Sequence, residues 1–179
     1  NILAQLPANS NVKDWEDILS TEDDVVLALS WRMSKIANKF GLGWPKDLCH
    51  QYNQLRPSDR ASQQEVLKKL LGKTGENFTL TAPFWCDYGY NIELGENFYA
   101  NHNLVILDGA KVTFGDNVFI GPDCGFHTAG HPIDFERRNR GLEYAYSITV
   151  GDNVWIGAGV QVMPGVTIGS NVVIGGGSV

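Results

Sequence analysis

Four imidazoles in this sequence, His50, His102, His127 and His131, could move a proton near neutral pH. An unperturbed imidazole titrates at about 6.5, so it can take a proton from a hydroxyl or, as the neutral ring, bind a metal. His50 falls in a helical stretch and is expected to pack or face solvent. His102 lies inside a repeat and is expected to be structural. His127 and His131 open a polar, charged stretch, residues 127–149, that interrupts the repeat, and loops set on a regular scaffold often carry function. His102, His127 and His131 together also match the donor number of a catalytic zinc site. The cysteines, Cys49, Cys86 and Cys124, form no CxxC and are odd in number, so reduced thiols in a cytoplasmic protein are expected.

The element that must position these groups is a repeat. Val150, Ile156, Val162, Ile168 and Ile174 recur six residues apart, and Gly151, Gly157, Gly169 and Gly175 follow four of them. Val154, Val160, Val166 and Val172 hold a second position of the same period. Leu94, Ala100 and Ile106 share the spacing earlier; the frame then slips by two, and Phe114, Ile120 and Phe126 resume it. Six is too long for an amphipathic strand and does not fit a helix. It fits the hexapeptide class of β-helix, where the chain turns every six residues and one aliphatic side chain per side points to the axis of a narrow prism. The residue after it is often glycine, where a tight corner leaves little room for a side chain. Residues 75–179 therefore form a mainly β unit, a parallel β-helix with 127–149 thrown out as a loop.

Residues 1–74 read as a helical N-terminal segment. The first twenty residues have no clear period. Thr21 then serves as an N-cap before Glu22, Asp23 and Asp24, and Val26, Leu29, Met33, Ile36 and Phe40 make one stripe that stops at Gly41. A second helix starts at Pro45, a favoured first helical position. A third runs from about Ser58 to Leu71, with Val66, Leu67, Leu70 and Leu71 on one side.

The 179 residues carry a net charge of −6, which excludes general binding to a nucleic-acid backbone, where clustered Lys and Arg are needed. No stretch is apolar enough to span a membrane, and no basic-then-apolar leader opens the chain. The sequence starts at Asn1 and stops at Val179 within the repeat, so a further segment is expected.

The repeat resembles the hexapeptide acyltransferases, whose coils wind left-handed. Within them, the chain from about residue 50 resembles the maltose and galactoside O-acetyltransferases. The resemblance is carried by Phe84-Trp85-Cys86-Asp87-Tyr88-Gly89-Tyr90-Asn91-Ile92, Asn97-Phe98-Tyr99-Ala100-Asn101, Thr128-Ala129-Gly130-His131-Pro132, Gly141-Leu142-Glu143-Tyr144 and Gly151-Asp152-Asn153-Val154-Trp155-Ile156-Gly157. It implies a left-handed parallel β-helix and transfer of acetyl from acetyl-CoA to a hydroxyl of a sugar such as maltose, glucose or a galactoside, without a metal. It implies His131 as the catalytic base, because that histidine stands in the His-Pro element. Asn101 is implied to hydrogen-bond acceptor hydroxyls, with Asp87 and Tyr99 lining the acceptor pocket. Glu143 is implied to steady the imidazole or touch the sugar. Trp155 and the backbone of Ala158 are implied beside the coenzyme. The resemblance further implies a homotrimer with sites between neighbouring coils.

Two departures leave the acceptor open. Gly109 stands where the galactoside enzymes carry an acid, and Met33 falls where their first helix carries an acceptor-binding aspartate. An antibiotic or another small hydroxyl compound is the alternative acceptor. A zinc lyase resembling the γ-type carbonic anhydrases is the alternative from another class, though that family spaces its histidines differently.

Overall fold

The computed structural model describes residues 45–179. Residues 1–20, the expected helix from Thr21, and Met33 within it lie outside the described residues. Helix α1 (Pro45–Gln54) starts on its proline, whose fixed φ suits a first turn. Helix α2 (Arg60–Leu70) starts later than Ser58 because Asp59 caps it, its carboxylate accepting the Ser62 N–H at 3.2 Å. Together the helices bury Cys49, Tyr52, Val66, Leu67 and Leu70 in the same core as the coils.

The coils form a three-sided prism. Its first face holds β1 (Phe78–Leu80), β4 (Phe98–Ala100), β7 (Phe119–Ile120), β12 (Trp155–Ile156) and β15 (Val173–Ile174). The second holds β2 (Phe84–Cys86), β5 (Leu104–Leu107), β8 (Gly125–His127) and β13 (Gln161–Val162). The third holds β3 (Ile92–Glu93), β6 (Val112–Phe114), β11 (Ile148–Val150) and β14 (Thr167–Ile168). Every pairing within these faces is parallel.

The repeat positions stack as columns along the axis. Leu80, Ala100, Ile120, Ile156 and Ile174 are in register on the first face. Cys86, Ile106, Phe126 and Val162 are in register on the second. Each fully buried aliphatic or aromatic side chain contributes about 1.5–3 kcal/mol. Phe98, Phe114 and Phe126 meet edge-on inside the prism, with centroids 5.1 and 4.9 Å apart.

The glycines after the core positions serve close stacking. A Cβ on Gly121 would lie 2.7 Å from the Ala158 nitrogen, and one on Gly115 would lie 2.8 Å from the Gly151 carbonyl carbon. The left-handed corner conformation falls instead to Asn97, Asn117 and Asn153, each at φ 56°, and to Asn171 at 61°.

The first coil presents open strand edges to α1. Asn53 covers one, donating to the Phe84 carbonyl and accepting its N–H, both at 2.9 Å. Tyr52 donates its hydroxyl to the Leu80 carbonyl.

The two-residue slip in the sequence has a place in the prism. It lies at the corner from second to third face, between β5 and β6. The same corner one coil earlier has the same spacing in register, Cys86 to Ile92 under Ile106 to Val112, and one coil later it holds the interrupting stretch. The sequence marks that stretch only as a loop. It folds into an antiparallel pair, β9 (Ala129–Gly130) with β10 (Tyr144–Ala145), and a short helix α3 (Phe135–Asn139). Asp134 caps α3 by accepting the Arg137 N–H at 2.8 Å. Two-residue strands are too short to show a period, so nothing in the sequence marks them. Among the described residues, no helix is long and apolar enough to cross a membrane.

Candidate active site

His131 follows β9 on the hairpin that leaves the second-to-third corner. Its Nδ1 lies 3.1 Å from the Leu142 carbonyl oxygen on the returning limb. A carbonyl only accepts, so Nδ1 carries the hydrogen and, in the neutral ring, Nε2 keeps its lone pair. Glu143 Oε1 lies 3.5 Å from Nε2, near enough to pair with the ring once it is protonated. The imidazole is half-exposed, so a substrate can reach it.

Asp87 ends the second face two coils below the hairpin. Burial raises its carboxyl above the usual aspartate range; Lys46 opposes that shift and Glu143 adds to it. Lys46 Nζ is 4.0 Å from Asp87 Oδ1 and largely exposed, so the pair is weak. Tyr88 is pushed up to about 12, mainly by burial, then by the neighbouring Tyr90, Asp87 and Glu143. Asp87, Glu143 and His131 therefore share one acid-rich corner, which Lys46 of α1 flanks.

The other candidates stand elsewhere on this chain. Asn101 follows β4 at the corner from first to second face, where its Oδ1 accepts the His102 N–H at 2.8 Å. Ala158 occupies the same corner after β12, exposed, its carbonyl taken by the Gly177 N–H at 2.8 Å. Tyr99 and Trp155 project outward from the first face. The register Tyr99, Phe119, Trp155, Val173 makes one exposed apolar column, with Tyr99 and Phe119 rings 6.2 Å apart. A single chain thus brings His131, Glu143 and Asp87 together but sets Asn101, Tyr99, Trp155 and Ala158 on a different corner and face.

The remaining histidines have other partners. His102 Nδ1 donates to the Ala82 carbonyl, and His127 Nε2 lies 2.8 Å from Gln161 Oε1 one coil on. His50 is exposed on α1. Among the described residues, no three His, Cys, Asp or Glu side chains converge as a metal site.

Sequence reasoning missed Lys46 and Asp108. Asp108 is completely buried and accepts the N–H groups of Asp87 and Tyr88 at 3.0 and 2.9 Å. The available signal was register: once Cys86 stands under Ile106, Asp108 stands over the turn that carries Asp87.

Residues 147–179 match the family described as bacterial transferase hexapeptide (six repeats), and residues 46–75 match the maltose acetyltransferase hexapeptide capping motif. A Saccharomyces cerevisiae protein, named only provisionally as an acetyltransferase, is 62% identical over 130 residues, 73% of this chain and 66% of its own length. The galactoside O-acetyltransferase of Escherichia coli is 45% identical over 134 residues, 75% of this chain and 66% of its own length. The chain thus spans just under two thirds of these curated relatives. A solved galactoside acetyltransferase in complex with coenzyme A superposes with TM-score 0.74 at 44% identity, over 75% of this chain and 68% of that one. A maltose O-acetyltransferase from Clostridium difficile 630 also gives 0.74 at 44% identity, over 74% and 71%.

Proposed function

The chain belongs to the hexapeptide-repeat acetyltransferases that carry a maltose-acetyltransferase capping motif, and from that premise we propose that it transfers acetyl from acetyl-CoA to a sugar hydroxyl. The observation that carries the proposal is the contact between His131 Nδ1 and the Leu142 carbonyl oxygen, at 3.1 Å. With Nδ1–H held by the Leu142 carbonyl, Nε2 keeps the lone pair, and it lies 3.5 Å from Glu143 Oε1 on a half-exposed ring.

In the proposed reaction, Nε2 takes the proton of the acceptor hydroxyl as that oxygen attacks the thioester carbonyl. The C–S bond of the tetrahedral intermediate then breaks, and the imidazolium returns the proton to the leaving sulfur. Glu143 stabilises the imidazolium between these steps. A general base so placed contributes roughly 10²–10⁴-fold. Asp87 is proposed to orient acceptor hydroxyls from the same corner.

Asn101 and Tyr99 are proposed to complete the acceptor site, and Trp155 and Ala158 the coenzyme site, across the interface of a homotrimer. Their separation from His131 on one chain supports that reading, as does the exposed column of Tyr99, Phe119 and Trp155. An exposed indole beside the exposed turn at Ala158 also fits the apolar arm and amides of a coenzyme. The free cysteines fit a cytoplasmic setting. A different small hydroxyl acceptor is the second reading, and Gly109, at a corner where the relatives' acid would stand, favours it.

The test is an acceptor panel of galactosides, glucose, maltose and chloramphenicol with acetyl-CoA, following thiol release. Acetylation of a sugar, abolished in His131→Ala, is expected. Turnover of the variant near the parent's would remove His131 from the chemistry.

A further inference from the structure

Among the described residues, the completely buried polar side chains are Asp108 and Thr128, and both lie in the corner that bears Asp87 and the hairpin. They form a continuous column. Asp108 Oδ1 accepts the N–H groups of Asp87 and Tyr88 from the coil below, at 3.0 and 2.9 Å. Its carbonyl accepts Asn91 Nδ2 at 2.7 Å. Thr128 Oγ1 accepts the Ala110 N–H at 2.9 Å and donates to the Leu107 carbonyl at 2.7 Å, gripping the coil of Asp108 from above. The Thr128 carbonyl accepts the Tyr146 N–H at 2.8 Å, where the hairpin's second limb rejoins the coil. Between the two, Gly109 leaves ordinary van der Waals space to Thr128 Oγ1 and to Ala129 and Ala145 of the hairpin base.

Asp108 Oδ2 is buried and accepts nothing from the described residues. Burying such a group costs stability, and an apolar side chain would avoid the cost. The exposed corners cap their N–H groups without it: Asp116, Asp152 and Ser170 do so in solvent. A buried polar column at one corner alone needs a reason beyond capping.

We propose that Asp108 and Thr128 are positioning residues that fix the Asp87 turn and the base of the His131 hairpin relative to each other, so that acceptor and base meet at the right separation. The proposal rests on the acetyltransferase reading. Misplacement of reacting groups by about 1 Å costs on the order of 10²-fold, so a small shift in either coil would register in catalysis.

The experiment compares Asp108→Ala, Asp108→Asn, Thr128→Val and Thr128→Ser with the parent, varying acceptor and acetyl-CoA separately and recording amide hydrogen exchange. Asp108→Ala should raise acceptor KM roughly tenfold, and Thr128→Val should lower kcat roughly tenfold to a hundredfold, with acetyl-CoA KM unchanged in both. Asp108→Asn and Thr128→Ser, which keep the acceptor oxygen, should restore most of the loss. Exchange should quicken at Asp87 and Tyr88 in the first variant and at Ala110 in the second, with Glu96 and Asp116 still protected. Equal shifts in both KM values, or protection lost along the whole prism, would reduce the column to general stability and overturn the proposal. Should the parent acetylate no acceptor, the functional reading fails, while exchange confined to this corner or spread beyond it still decides whether the column links the two segments.

Discussion

At the third-to-first corner, Asn97, Asn117, Asn153 and Asn171 each sit left-handed, and the amides of the first three each donate to the next asparagine along the prism, at 3.0, 3.2 and 3.2 Å. At the second-to-third corner no such side-chain ladder runs from coil to coil. Asp87, Asp108 and a twofold-folded hairpin occupy successive coils there, and buried side chains do the capping. The first corner meets its backbone hydrogen-bond needs with one exposed residue type and can be copied coil after coil. The second accepts buried polar groups and irregular lengths, and it gathers the basic nitrogen of His131 with two carboxylates. The difference teaches that this fold separates regular from irregular corners: regularity meets backbone needs where nothing else is asked, and departure from it coincides with the proposed site.

Substitutions should separate the corners cleanly. The largest effect is expected from His131→Ala, with turnover falling roughly 10²–10⁴-fold while the melting temperature stays within a few degrees of the parent's. A large loss of stability would mean that the hairpin holds the prism together and would blur the comparison.

The converse change is Asn117→Ala. Losing the residue that tolerates φ 56° and both ladder bonds should cost about 1–2 kcal/mol in urea unfolding, with turnover at saturating substrates unchanged. Asn117→Gly should cost less, since glycine keeps the conformation. Lost turnover in either variant would show that the ladder also shapes the site.

The smallest effect is on pH dependence, and its sign should differ between corners. Burial raises the Asp108 carboxyl, so its contribution to stability is full below the unfolded aspartate value of about 3.9 and is lost as pH rises through the folded value. Glu96, beside the ladder, is lowered by hydrogen bonds from the Glu76 and Asn77 N–H groups. Its contribution is present above the unfolded glutamate value of about 4.3 and is lost as pH falls through the folded one. Relative to the parent, Asp108→Asn should therefore lose ground as pH drops from neutral toward 4. Glu96→Gln should gain ground as pH falls through the acid range. Urea midpoints against pH would check both, and slopes of one sign would erase the distinction.

The amino-acid sequence by itself determined the prism. A six-residue period in Val150 to Ile174 has one geometric solution, because each aliphatic position must reach the axis and each following glycine must let the next coil approach. It also pointed to His131, through the break in that period and a motif shared with relatives. Tertiary structure alone added Lys46 and the Asp108–Thr128 column. They come from segments far apart in the chain, and only the stacking register places them at the corner of Asp87 and the hairpin. A period reports where side chains point along one strand direction. It is silent on which corner a stretch of irregular length will occupy, because that depends on how many residues the coils above and below have already used.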